Sequence, residues 1–93
     1  MNPISFSSLD LAPEEAGIYF LYSSDKDLLY IGRASNIHRR LVSHLNSEKK
    51  DKIAYFSYEI HRTGISLAEK NAIEQYSKRT GSLPPLNRIS GFV

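Results

Sequence analysis

Two short runs of β-branched and aromatic residues, at 18–22 (Ile-Tyr-Phe-Leu-Tyr) and 28–31 (Leu-Leu-Tyr-Ile), are separated only by Ser23, Ser24, Asp25, Lys26 and Asp27. Serine and aspartate favour turns because their side chains bond nearby backbone N–H groups. A connection this short cannot carry a parallel crossover. The runs are therefore expected to pair as an antiparallel hairpin, with Gly32 ending its second strand.

The remaining segments supply what must cover that hairpin. Ser35 or Asn36 is placed to cap a helix running to about Asn46. Ile37, Leu41 and Leu45 recur at four-residue spacing and are expected to face the core, beside a polar stripe of Asn36, Arg40 and His44. Residues 53–60 alternate as a third strand does. Ser66 and Glu69 have capping-box spacing ahead of a second helix from about Leu67 to Arg79, with Gly81 as its stop. The stretch Pro84-Pro85-Leu86-Asn87 cannot be regular helix or central strand, and residues 1–16 read as an irregular lead-in. The order β-β-α-β-α predicts an α/β (α+β) fold: a small three-stranded antiparallel sheet flanked by helices.

With 93 residues the chain is expected to be a single domain over 1–93. It has no cysteine, which excludes disulfides, thiolate zinc sites and thiol catalysis and fits a reducing, cytoplasmic setting. No apolar run approaches the roughly 20 residues of a membrane span, and the opening Met-Asn-Pro-Ile-Ser has no basic flank, so neither membrane nor export is expected. The net charge of +2 conceals an asymmetry, because residues 1–31 carry five acids against one base and residues 32–93 eleven bases against five acids. Positive charge is densest at Arg33, Arg39 and Arg40, with His38 and His44 interleaved, and again at Lys49, Lys50 and Lys52. Such a patch suits a polyanion and equally suits a solvated helix surface.

Most local chemistry is absent. The glycines are isolated, so there is no phosphate loop, and His38 and His44 lie six apart on a helix, on different faces. What remains is a set of ordered motifs. Gly17-Ile18-Tyr19 opens the first strand and Tyr30-Ile31-Gly32 closes the second, eleven positions apart from tyrosine to tyrosine. A basic residue follows, then Asn36, Arg40 and His44 along the first helix. Glu69, Ile73 and Tyr76 mark the second helix, and Pro84-Pro85-Leu86-Asn87 follows it. This pattern resembles the GIY-YIG nuclease family over about residues 16–88.

The resemblance implies hydrolysis of DNA phosphodiester bonds with one divalent ion, Mg2+ or Mn2+. It makes Glu69 the carboxylate that holds the metal, Arg40 a contact to the scissile phosphate, Tyr19 the leading general base, and Tyr30 and His44 lining residues. Arg33, Asn36 and Arg39 would bind DNA phosphate, with Asn87 at the far wall of the site. The residue chemistry is compatible, since magnesium is commonly held by one or two carboxylates with water and phosphate completing its shell. Arginine presents a charged planar fork to phosphate oxygens. Each residue also has a plainer reading: aromatic strand residues for the tyrosines, a capping-box partner for Glu69, a solvent-facing arginine for Arg40, turn chemistry for Asn87. Two features depart from the family pattern. Arg33 stands where lysine is usual, and the stretch from Glu69 to Asn87 is longer by residues 77–83. The alternative on the same fold is a non-catalytic nucleic-acid-binding module or a DNA-processing subunit. For a chain this short, targeting is expected from a partner protein or a homodimer.

Overall fold

The computed structural model describes residues 2–46 and 50–88. Lys49 of the expected basic loop lies outside the described residues, while Lys50–Lys52 form one 3-10 turn.

The hairpin forms as its sequence dictates. Strands β2 (Gly17–Tyr22) and β3 (Leu28–Ala34) pair antiparallel, with Tyr19 opposite Gly32 and Leu21 opposite Tyr30. The Ser23 hydroxyl accepts from the N–H groups of Asp25 and Asp27, which closes the turn. Gly32 does not end β3, because the ladder continues to Arg33 opposite Ile18 and Ala34 opposite Gly17.

The strand read at 53–60 is present as β4 (Tyr55–Ile60), paired with the other edge of β2. The sheet has four strands, not the three expected. A two-residue strand, β1 (Ile4–Ser5), pairs with β4, giving the order β1-β4-β2-β3 with every pair antiparallel. Two residues are too few for any periodicity to show. What specifies them is tertiary: the open edge of β4 needs a partner, and Phe6 meets Phe56 edge-on at 5.4 Å.

The rest of the expected lead-in is also ordered. A 3-10 helix at Phe6–Leu11 follows β1. Next, the carbonyls of Pro13 and Glu15 accept from the N–H groups of His38 and Ile37, the first residues of α1 (Ile37–Leu45). The Asn36 side chain accepts from the Arg39 N–H. The amino end of α1 is thus held by the preceding chain as well as by its cap.

Helix α2 (Ile65–Thr80) begins two residues earlier than expected, and its N-cap is Gly64, with no side-chain cap bond. The capping box of Ser66 and Glu69 does not form, because both residues lie inside the first turns. Gly81, at φ 86°, closes the helix as expected.

The two faces of the sheet bury different residues. On one face Tyr19, Leu21, Ala34 and Phe56 pack with Ile37 and Leu41 of α1 and with Ala12. On the other face, Ile18 and Ile31 are buried on the side where α2 and the 3-10 turn Pro85–Arg88 lie against β3. Leu45 does not reach the core: it is exposed, and His44 is fully buried in its place. At about 100° per residue, two four-residue steps carry Leu45 about 80° around from Ile37, while seven residues return His44 to within about 20°. Among the described residues no helix is long and apolar enough to cross a membrane.

Candidate active site

Strand alternation explains the two sequence triplets residue by residue. In Gly17-Ile18-Tyr19 and in Tyr30-Ile31-Gly32 the glycine and tyrosine share the face covered by α1, and the isoleucine points to the opposite face. Both glycines are required by close approach. A Cβ on Gly32 would lie 2.6 Å from the Tyr19 ring and hydroxyl and 2.7 Å from the Tyr30 ring. A Cβ on Gly17 would lie 2.0 Å from the Glu59 carbonyl oxygen of β4. The space cleared by Gly32 is the space in which the two tyrosine rings meet.

His44 joins them from α1. The Tyr19 and Tyr30 ring centres are 5.9 Å apart, and the imidazole lies 5.4 Å from Tyr19 and 5.7 Å from Tyr30. The Tyr19 hydroxyl and His44 Nε2 are hydrogen-bonded at 2.8 Å, and the two tyrosine hydroxyls also interact. Tyr19 and His44 are shut off from solvent, whereas Tyr30 is half-buried and forms the outer member of the group.

Burial dominates the electrostatics. It pushes the Tyr19 phenol well above its ordinary range, and the neighbouring Tyr30 adds to the shift. It raises Tyr30 as well, helped by the Glu69 carboxylate. It pulls His44 down to about 4, with the Arg40 guanidinium contributing. At neutral pH the group is therefore two phenols and a neutral imidazole, flanked by one cation and one carboxylate.

Glu69 approaches from α2 with about a quarter of its side chain exposed, and its Oε1 lies 3.9 Å from Arg33 Nε. Arg33 Nη1 also donates to the Ser66 hydroxyl. A cleft of about 260 Å³ opens here, lined by Arg33, Ala34, Ser35, Arg40, Ile65 and Ser66. A second cleft, of about 160 Å³, is lined by Ala34, Ser35, Asn36, Arg39, Arg40 and Ser43, so Arg40 borders both. Asn36 and Arg39 line only this second cleft, away from the tyrosines, and Asn36 Oδ1 serves as the α1 cap. Asn87 reaches β3 rather than either cleft: its Oδ1 accepts from the Ile31 N–H and its Nδ2 donates to the Ile31 carbonyl, both at 2.9 Å. The amide acts as one more rung on the sheet's edge, fixing the strand that carries Tyr30.

The donor set suits one kind of metal. Among the described residues no three His, Cys, Asp or Glu side chains come together as a ligand cluster. A calcium cage or a closed zinc site is therefore not built. One accessible carboxylate beside a cleft with two arginines fits a magnesium-like ion, which keeps water and takes substrate phosphate as ligands.

Ser66 and Gly32 are the residues that sequence reasoning undervalued. Ser66 had its signal, a hydroxyl three positions before Glu69, but the spacing was equally that of a cap. Gly32 reads from sequence as a strand terminator, and the structure makes it the room for two rings.

Two phenols on β2 and β3, an imidazole and a guanidinium on α1 and a carboxylate on α2 thus gather around the hairpin of a small α/β domain. The chain belongs to the GIY-YIG family: the GIY-YIG catalytic domain matches residues 15–81, most of the chain. By family, then, this is a domain of the endonuclease kind. It is 28% identical over 78 residues to the UvrABC system protein C of Mycoplasma mycoides, covering 73% of this chain and 13% of that protein. It is 41% identical over 44 residues to the same-named protein of Hydrogenobaculum, covering 47% of this chain and 8% of the relative. The Rickettsia rickettsii protein of that name is 37% identical over 46 residues, covering 50% and 7%. The chain thus spans only a small fraction of the length of these relatives.

Proposed function

We propose that the domain hydrolyses DNA phosphodiester bonds, with one divalent cation, Mg2+ or Mn2+, held by Glu69. The observation that carries this reading is the closed triangle of Tyr19, Tyr30 and His44, joined by the Tyr19–His44 hydrogen bond, beside a cleft that Arg40 lines with Arg33, the neighbour of Glu69. A bound cation supplies Lewis acidity toward a phosphate oxygen. The chain's own side chains do the rest. Arg40, bordering both clefts, binds the scissile phosphate and stabilises the charge that grows on it. Arg33, Arg39 and Asn36 hold neighbouring backbone phosphates, and Asn87 positions Tyr30 by pinning Ile31.

The proton of the attacking water needs an acceptor. Tyr19 alone is poorly suited, since its surroundings favour the phenol over the phenolate. The hydrogen-bonded path Tyr30–Tyr19–His44 resolves this. Tyr30, the half-buried member, takes the proton from water as Tyr19 receives one from Tyr30, and the neutral Nε2 of His44 accepts the proton of Tyr19. Tyr19 then acts as base without becoming a lasting anion.

Cutting is proposed to occur in the cytoplasm, in keeping with the absence of cysteine. Targeting is proposed to come from a partner protein or a second copy of the chain. The name shared by the relatives makes each of them one component of a system, which supports a partner.

The test is cleavage of supercoiled plasmid and of branched DNA with Mg2+ or Mn2+ and with EDTA, alongside Glu69→Gln and Arg40→Ala. Metal-dependent cleavage is expected, with each variant reduced on the order of 100-fold or more. Binding without cleavage under every metal would leave a nucleic-acid-binding module, and cleavage that survives Glu69→Gln would overturn the metal assignment.

A further inference from the structure

Arg33 stands between two partners on α2. Its Nη1 donates to the Ser66 hydroxyl, and its Nε lies 3.9 Å from Glu69 Oε1. Ser66 and Glu69 are three residues apart on the helix, so one turn presents both to the same neighbour. A guanidinium can engage both at once because its donors form a planar fork, whereas the point charge of a lysine ammonium cannot hold two partners in a set geometry. The Ser66 hydroxyl is available for this contact because α2 is not capped by a side chain.

This arrangement has a consequence for any cation that approaches Glu69. The carboxylate already has a positive neighbour about 4 Å away, and a divalent ion bound there would be repelled by that charge. We propose that Arg33 is a displaceable counter-ion of Glu69. The divalent cation and the guanidinium compete for the carboxylate, and Ser66 is the positioning residue that keeps Arg33 at the site when the cation displaces it. Arg33 then remains on the wall of the cleft it shares with Arg40, where a phosphate is wanted. This inference rests on the reading of Glu69 as the cation's carboxylate.

The test is titration of the DNA-free protein with Mn2+ alone, followed by water-proton relaxation. Arg33→Gln is expected to bind Mn2+ about three- to tenfold more tightly than the unaltered protein, the size appropriate to a partly exposed charge pair. Ser66→Ala is expected to shift affinity in the same direction by less. The double variant should match Arg33→Gln, because Ser66 acts only through Arg33. Ser66→Thr, which retains a hydroxyl, should restore the original affinity. Both positions are exposed, so thermal unfolding of the variants should match that of the unaltered protein.

Arg33→Gln binding Mn2+ no more tightly than the unaltered protein, while Glu69→Gln has lost binding, overturns the competition alone. Unchanged affinity in Ser66→Ala overturns the positioning role. Binding that persists in Glu69→Gln, or is absent from both the unaltered protein and Arg33→Gln, overturns the metal assignment and this inference together.

Discussion

The hydroxyl of Tyr19, on β2, lies 2.8 Å from Nε2 of His44, on α1, and neither side chain reaches solvent. Twenty-five residues separate the two in sequence. The bond therefore ties the hairpin to the helix and places a proton donor and a proton acceptor in contact where water does not compete.

Removing that hydroxyl tests both roles. Tyr19→Phe preserves the ring and its packing but deletes a buried hydrogen bond, which costs about 1–3 kcal/mol. Urea denaturation is expected to show a loss of that size. Cleavage should fall by on the order of 100-fold, the usual size of a general acid–base contribution. Full cleavage activity in Tyr19→Phe would remove Tyr19 from the proton path.

Stability should depend on pH through His44. Its pKa is about 4 in the folded protein and 6.5 in the reference state, so the unfolded chain binds the proton more readily. The stabilisation from keeping the imidazole neutral is present above pH 6.5 and is lost as the pH falls from 6.5 toward 4. Between pH 7 and pH 5 this linkage amounts to about 2 kcal/mol. Urea denaturation at the two pH values should show that loss in the unaltered protein and a smaller one in His44→Phe. An equal loss in both would show that the acid sensitivity arises elsewhere. The acid limb of kcat/KM should likewise fall well below the ordinary histidine range.

The two glycines of the triplets should differ in what they tolerate. In Gly32→Ala the new methyl meets two aromatic side chains, which can shift at a cost of about 1–3 kcal/mol. The expected result is a folded protein with a displaced Tyr19–Tyr30 pair and little activity. In Gly17→Ala the methyl meets a backbone carbonyl of β4 at 2.0 Å, which cannot yield without parting the central strands. Circular dichroism and thermal melts should show a much larger loss for Gly17→Ala, and the reverse order would contradict this assignment.

Asn87 makes two hydrogen bonds to one residue of an edge strand. Asn87→Ala removes both and is expected to cost about 1–3 kcal/mol. Asn87→Asp keeps an acceptor for the Ile31 N–H but sets a carboxylate oxygen against the Ile31 carbonyl, so it should be no better than alanine. Amide hydrogen exchange at Ile31 should speed up in both. Unchanged exchange would mean that β3 is held without the Asn87 clamp.

Much of the site was legible from sequence because the triplets obey a local rule. Period-two alternation places Tyr19 and Tyr30 on one face and Ile18 and Ile31 on the other, whatever the rest of the chain does. The hairpin and the Gly81 stop are likewise settled within a few residues, whereas the α1 cap stood open between Ser35 and Asn36 until the structure gave Asn36. The candidates Arg40, His44 and Glu69 came instead from the resemblance in motif order, since local rules alone read them as a solvent-facing arginine, a polar-stripe histidine and a capping-box partner.

Other features depend on contacts distant in sequence. Strand β1 exists because β4 offers an open edge. The Glu15 and Pro13 carbonyls matter because α1 begins beside them. Ser66 serves Arg33 rather than its own helix because β3 runs on past Gly32 and brings Arg33 to it. His44, read as a member of a polar stripe, became the buried partner of Tyr19 through about 20° of helical rotation that a four-residue repeat does not resolve. Sequence by itself determined the hairpin and the alternation of its two triplets, since both follow from short-range backbone geometry, and the order of its motifs carried the family resemblance. Only the tertiary structure decided which of them are dry, which are paired and how they ionise, because burial and partnership are properties of the assembled faces.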